Sequence, residues 1–209
     1  MTSFLKSLAF VSVLAAPSLV AATEYEIHPT NSSALFSVKH MMVSNVRGSF
    51  SKVTGTANID EKDLTKSTVE AVIDATTVTT NDTSRDEHLR GNEFFDVKKF
   101  PTLTFKSTKV EKSADGLKLT GNLTIRGVTK PVVLEAEGFT VESKDPYGNL
   151  KRGGSATTKI NRKDFGLTWN TALETGGVAV GDQVSITLEI ELVKKQPTQP
   201  VKSAASTTP

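Results

Sequence analysis

The stretch Val184-Ser185-Ile186-Thr187-Leu188-Glu189-Ile190-Glu191-Leu192 alternates apolar and polar residues without a break. Successive side chains of a strand point to opposite faces, so one face here is buried and the other solvated. The same period recurs along the chain. Leu117, Leu119, Leu123 and Ile125 alternate with Lys118, Thr120, Asn122, Thr124 and Arg126. Val69, Ala71, Ile73 and Ala75 alternate with Glu70, Asp74 and Thr76, with Val72 breaking the polar side. Leu103 and Phe105 alternate with Thr102, Thr104 and Lys106. Turn residues separate the runs: Asp115-Gly116 reads as a tight hairpin, Asp145-Pro146-Tyr147-Gly148 as a longer reversal, and Gly176-Gly177 as another. Eight or nine strands are predicted, near 24–28, 33–40, 47–60, 67–78, 101–112, 116–126, 129–142, 153–161 and 181–194. Several exceed the common strand length of about five or six residues. Long antiparallel strands with one apolar face fit a barrel or a deep sandwich.

One segment departs from this pattern. Ser84 and Glu87 have capping-box spacing, and the stretch to Asn92 lacks β-branched residues, which predicts a short helix over 84–92. Phe94, Phe95 and Phe100 follow, and Pro101 bars further helix. The cluster reads as an apolar plug anchoring the helix to the sheet.

Composition narrows the chemistry. None of the 209 residues is cysteine, which removes disulfides, thiolate catalysis, Cys-ligated zinc and iron–sulfur clusters. With 25 basic and 23 acidic residues the net charge is only +2, so nothing points to nucleic acid. A hydrophobic fraction of 37% describes a globular protein. Met1 to Ala22 reads as a secretory signal peptide: Lys6 supplies the basic region, Leu8 to Leu14 the apolar run, and Val20-Ala21-Ala22 the small residues before cleavage. Residues 196–209 carry three prolines and no aromatic, and read as a flexible tail. The folded domain is expected over 23–195. Without a cysteine to lipidate, the exported chain is expected to be soluble, in a periplasm or outside the cell.

The three histidines, His28, His40 and His88, form no local metal-ligand spacing, and no nucleophile elbow or phosphate-binding glycine loop is present. No cofactor or metal is expected. Asn31, Asn81 and Asn122 open glycosylation sequons, which matter only in a eukaryotic secretory pathway. Arg85 and His88 lie three apart, so a helix presents both on one face, as donors toward an anionic head group beside the phenylalanine cluster. The competing reading has Arg85 and Asp86 pairing with neighbouring strands and His88 capping a barrel end.

Five stretches carry a family resemblance. They are Tyr25-Glu26-Ile27-His28 through Phe36-Ser37-Val38-Lys39-His40 to Val46-Arg47-Gly48-Ser49-Phe50; Arg85-Asp86-Glu87-His88-Leu89 with Phe94-Phe95-Asp96; Phe100-Pro101-Thr102-Leu103-Thr104-Phe105-Lys106-Ser107; Gly121-Asn122-Leu123-Thr124-Ile125-Arg126-Gly127-Val128-Thr129-Lys130-Pro131-Val132; and Ile160-Asn161-Arg162-Lys163-Asp164-Phe165-Gly166-Leu167-Thr168-Trp169, followed by Gly181-Asp182. In this order they resemble the YceI-like family, exported lipocalin-like proteins associated with polyisoprenoid and lipid binding. The resemblance implies an all-β fold: an extended antiparallel lipocalin-like β-barrel of about eight strands, with one short helix and a long apolar channel. The family pattern places Gly-Phe just before the strand leading to the Asn-Arg segment, and here the pair is Gly153-Gly154.

A channel of this kind would hold one long hydrocarbon chain. Alternation then nominates Phe36, Val38, Phe50, Phe105, Phe165 and Trp169 as its lining. His40, Arg85, His88, Asn161 and Arg162 are the candidate head-group donors, with Arg162 and Asp164 alternatively forming a structural pair. The expected partner is a polyisoprenoid or other long-chain amphiphilic lipid, with transient membrane contact and pairing into a homodimer both compatible with the fold. A lipid carrier competes with an enzyme acting on such a lipid, and with an exported interaction module whose barrel is filled.

Overall fold

The computed structural model describes residues 22–174 and 176–196. Most of the expected signal peptide and of the expected tail therefore lies outside the described residues. The chain forms β1 (Thr23–Ile27), β2 (Ser33–His40), β3 (Ser44–Phe50), β4 (Val53–Ile59), β5 (Thr68–Asp74), α1 (Thr83–Arg90), β6 (Thr102–Lys112), β7 (Leu117–Ile125), β8 (Val128–Gly138), β9 (Ser143–Lys144), β10 (Leu150–Asn161) and β11 (Val180–Lys194).

All named strand pairs are antiparallel, and they close into an eight-stranded barrel with one helix. Closure runs through β11, which pairs with β10 on one side and with both β1 and β2 on the other. β1 and β2 thus act as two halves of one barrel strand, interrupted at Pro29. The interruption is stitched to β11: His28 donates its backbone N–H to the Glu191 carbonyl at 2.8 Å, and Glu191 donates to Ser32 Oγ at 3.0 Å. β3 and β4 form a second divided strand beside them.

The expected strand boundaries shift where polar side chains capture backbone. The run expected over 47–60 breaks at Ser51-Lys52. The run expected over 67–78 stops at Asp74, whose carboxylate accepts from Thr76 N–H at 3.0 Å and so starts a 3-10 turn. The helix begins one residue earlier than its sequence predicts. Its cap is Asp82, accepting from Arg85 N–H at 3.0 Å, rather than Ser84.

The core lies inside the barrel. Val184, Ile186, Leu188, Ile190 and Leu192 all face inward, as their alternation demands. On β6 the phase changes between Ser107 and Lys109, where a bulge lets Leu103, Phe105 and Val110 all point inside. Helix α1, the β2–β3 and β7–β8 turns and the 3-10 turn Arg162–Phe165 gather at one end, here called the helix end. The loops after β4 and β8, and the ends of β10 and β11 at Arg152 and Lys194, meet at the other.

Candidate ligand-binding cavity

The barrel interior holds a cavity of about 380 Å³ lined almost wholly by apolar side chains. Both Val180 near the helix end and Leu192 near the far end line it. At about 3.3 Å per residue and a tilt of roughly 40°, this stretch of β11 extends about 30 Å along the axis. The cavity is thus a channel rather than a compact pocket.

Small residues make room for large rings inside the wall. The Phe36 ring lies over Gly48, its cross-strand partner, and the Phe105 ring lies over Gly121. The Phe139 ring lies over Gly154, in contact with the space its Cβ would occupy. The ring over Gly154 is therefore supplied by the residue that follows β8. Phe139 lines the channel, so the wall beside Gly154 carries an aromatic ring.

Of the nominated lining residues, Phe36, Val38, Phe50, Phe105 and Trp169 border the cavity. Phe165 does not. It is buried, but it sits on the 3-10 turn Arg162–Phe165, where the period of two no longer applies. Phe94 and Phe95, read as a plug, also border the channel. Phe94 packs against His88 and Trp169, and Phe95 meets the Phe50 ring edge-on at 5.4 Å.

The five donor candidates separate into two groups. His40, Arg85 and His88 line the cavity at the helix end. The His88 ring stands edge-on to both Phe94 and Trp169, with centroids 4.9 Å apart in each case, and its Nε2 shares a 2.8 Å hydrogen bond with Glu93. Arg85 donates from Nε to Thr80 Oγ1 at 2.8 Å and from Nη2 to the Thr80 carbonyl at 3.2 Å. A guanidinium has five N–H groups, so donors remain on Nη1, 4.0 Å from Asp82.

Asn161 does not border the cavity, and the donors of Arg162 are already engaged. The exposed Asn161 turns its side chain to cap the following 3-10 turn, accepting from Lys163 N–H at 2.9 Å. Arg162 borders the cavity but is buried and committed. Its guanidinium donates to the carbonyls of Gly181 at 2.9 Å, Trp169 at 2.9 Å and Val180 at 3.2 Å, and also to Leu167. Its ionic partner is Asp182 at 3.6 Å, not the sequence-near Asp164. Burial lowers the Arg162 pKa, and the Asp182 charge opposes that shift.

Asp86 is likewise structural. Buried on α1, it accepts from Thr80 N–H at 2.7 Å, Thr80 Oγ1 at 2.6 Å and Thr79 Oγ1 at 3.0 Å. Burial pushes its pKa up, but these hydrogen bonds outweigh it and hold the carboxyl below the ordinary 3.8. Asp86 therefore straps the helix to the strand end rather than facing a ligand.

The opposite end is closed by a polar cluster that no local sequence pattern announces. Tyr25 is fully buried; its hydroxyl donates to Glu142 and accepts from Arg152 Nε at 3.0 Å. Arg152 also donates to Glu61 and to the Phe139 carbonyl, and Lys194 pairs with Glu142 at 3.1 Å. Burial, aided by the bond to Glu142, pushes the Tyr25 phenol up to about 12. These five side chains come from five separate segments, so only the folded barrel assembles them. Among the described residues no group of three His, Asp or Glu side chains is placed to hold a metal ion.

Known proteins share this architecture. The YceI-like domain profile matches residues 25–192. A protein YceI of Salmonella agona is 42% identical over 161 residues, covering 76% of this chain and 84% of that protein. The crystal structure of a Campylobacter jejuni YceI protein is 34% identical and superposes with a TM-score of 0.63, covering 76% of this chain and 90% of that one. A polyisoprenoid binding domain from Saccharophagus degradans, only 14% identical, shares the fold with a TM-score of 0.57, covering 82% of this chain and 98% of that one. Profile, sequence relatives and barrel agree: the chain belongs to the YceI-like family.

Proposed function

We propose that this chain is an exported carrier that holds one long apolar chain, of a polyisoprenoid or similar lipid, in its barrel. The observation that carries the reading is the channel itself: apolar along its length, closed at the far end by the Tyr25–Arg152 cluster, and edged at the helix end by His40, Arg85 and His88. A volume of about 380 Å³ falls within the range of about 300–1,000 Å³ typical of ligand pockets. Ten methylenes buried there would contribute about 8 kcal/mol gross, offset in part by ordering the chain. Apolar burial discriminates weakly among chains, so selectivity would rest on the three polar residues at the mouth. The ligand named for the Saccharophagus degradans domain is consistent with this reading.

Export is supported by the basic, apolar and small-residue order of residues 1–22. An open channel disfavours an interaction module with a filled barrel. The family is a binding-protein fold, which favours carriage over catalysis.

The deciding experiment is mass spectrometry of organic extracts from protein purified without detergent. A long-chain isoprenoid or lipid recovered at near one per chain supports the carrier. Repeated preparations that yield no lipid, and a protein that fails to take one up from solution, overturn it.

A further inference from the structure

The turn between β2 and β3 breaks two rules of soluble hairpins. Met41 and Met42 both adopt left-handed backbone, with φ of 50° and 61°, and Val43 N–H donates to the His40 carbonyl at 3.1 Å. Such turns favour Asn-Gly, because other side chains crowd the following carbonyl. The β7–β8 turn of this same barrel respects the rule with Arg126-Gly127. The β2–β3 turn instead carries two methionines followed by valine, and they are 42%, 52% and 80% exposed. The backbone does not demand apolar residues here, and although Met42 packs along Gly177 of the neighbouring loop, neither methionine belongs to the barrel core.

Two features say what covers them. First, the apolar surface is continuous with the channel. Val38 and Val46 are cross-strand partners just below the turn, and both line the cavity, as does His40. Second, the tip has cationic shoulders. Lys39 and Arg47 are exposed on either strand, and no acidic residue occurs between Glu26 and Asp60. The segment packed beside the tip, where Ala179 accepts from Met41 N–H, brings the exposed Glu174 and, next to Lys39, Asp182, whose carboxylate pairs with Arg162 and Lys163. Apolar side chains at a protruding tip with basic residues behind them match an interface of acyl chains beneath anionic head groups.

We propose that Met41-Met42-Val43 docks the channel mouth onto an anionic lipid bilayer, with Lys39 and Arg47 against the head groups. This rests on the lipid-carrier reading and specifies where the carrier meets its membrane. A chain leaving the channel between Val38 and Val46 would then pass to the bilayer without crossing water.

The test uses the purified protein with vesicles of phosphatidylcholine alone or mixed with phosphatidylglycerol. Flotation measures docking. Quenching of Trp169, the one tryptophan, by a fluorescent short-chain isoprenoid measures channel binding separately. The protein should float with the anionic vesicles, and Met41→Asn with Met42→Gly should weaken this more than tenfold. That pair suits the left-handed turn, so the variant should fold as well as the parent. Neither residue borders the cavity, so isoprenoid binding should be unchanged. Lys39→Gln with Arg47→Gln should remove most of the preference for phosphatidylglycerol, at about fivefold per cation. Vesicle binding unchanged in the Met41, Met42 variant overturns the docking tip. So does binding of the probe with no vesicle binding, which leaves the carrier reading intact. Vesicle binding without uptake of any chain overturns the carrier and leaves the tip. A loss of self-association in the variant, with vesicle binding intact, assigns the tip to a second copy of the chain instead.

Discussion

Arg152 Nε donates a 3.0 Å hydrogen bond to the hydroxyl of the fully buried Tyr25, across 127 positions of sequence. The bond ties the start of β10 to β1 on the opposite side of β11, at the end of the barrel away from the helix. Tyr25→Phe removes the hydroxyl and leaves Arg152 and Glu142 each short of a partner. A loss of about 1–3 kcal/mol is expected, read as a lower urea midpoint with unchanged slope.

The same hydroxyl sets an alkaline limit. Its pKa is about 12 when folded against 10.0 ordinarily, so the unfolded chain releases this proton first. Stability should therefore fall as pH rises from about 10 toward 12. Ultraviolet titration of the folded protein should show a tyrosine step near 12 that is missing in Tyr25→Phe.

Acid should weaken the helix strap. Asp86 is held below its ordinary 3.8, so its contribution is complete above that value and lost as pH falls below it. Asp86→Asn places an amide donor against the Thr80 donors and should cost about 1–3 kcal/mol at neutral pH. The acid limb of the melting temperature against pH should flatten in this variant.

Arg162 organises the loop that carries Trp169. Arg162→Lys keeps the charge but not the planar fork that serves four carbonyls. A loss of about 3 kcal/mol is expected. Hydrogen exchange should speed up in residues 166–182 while the far end of β10 and β11 stays protected.

Trp169 borders the channel beside His88 and Phe94 at the helix end. Trp169→Ala should weaken uptake of a long-chain isoprenoid about tenfold while the far-ultraviolet spectrum stays that of the parent. Equal affinity in a direct lipid-transfer assay counts against the mouth assignment.

Chain length should be set deeper in the barrel. Ala156 and Ala136 face each other across β10 and β8 and both line the channel in the half away from the helix. Ala156→Phe fills that half, at about 1–3 kcal/mol of overpacking. Short chains should still bind and long ones should not, as judged by the lengths recovered in extracts.

Much of this was legible in order along the chain. Alternation in residues 184–192 states which side chains share a face, because the period of two is a local property of extended backbone. It placed Phe36, Val38, Phe50 and Phe105 on the channel wall, and the resemblance to the YceI-like family added the barrel. The helix was visible from composition, although its cap is Asp82. Phe165 shows where such reading stops. Once the backbone turns into a 3-10 segment, the face a residue takes is no longer set by its parity.

Polar residues were less legible, for a different reason. Arg85, His88 and Arg162 are the same kind of donor in sequence, and their roles depend on which carbonyls and carboxylates the fold brings near. Arg162 meets the carbonyls of Leu167, Trp169, Val180 and Gly181 and is consumed by them, whereas His88 stays at the channel rim. Tyr25 and Arg152 carry no local signal at all, and neither does the ring of Phe139 covering Gly154. The sequence by itself determined most of the strands, the faces they bury and the family resemblance, but not the breaks at Ser51-Lys52 and after Asp74. Only the tertiary structure decided which end of the barrel Tyr25 and Arg152 lock and which end His88 and Trp169 edge, because closing a sheet on itself joins residues that no short-range period can relate.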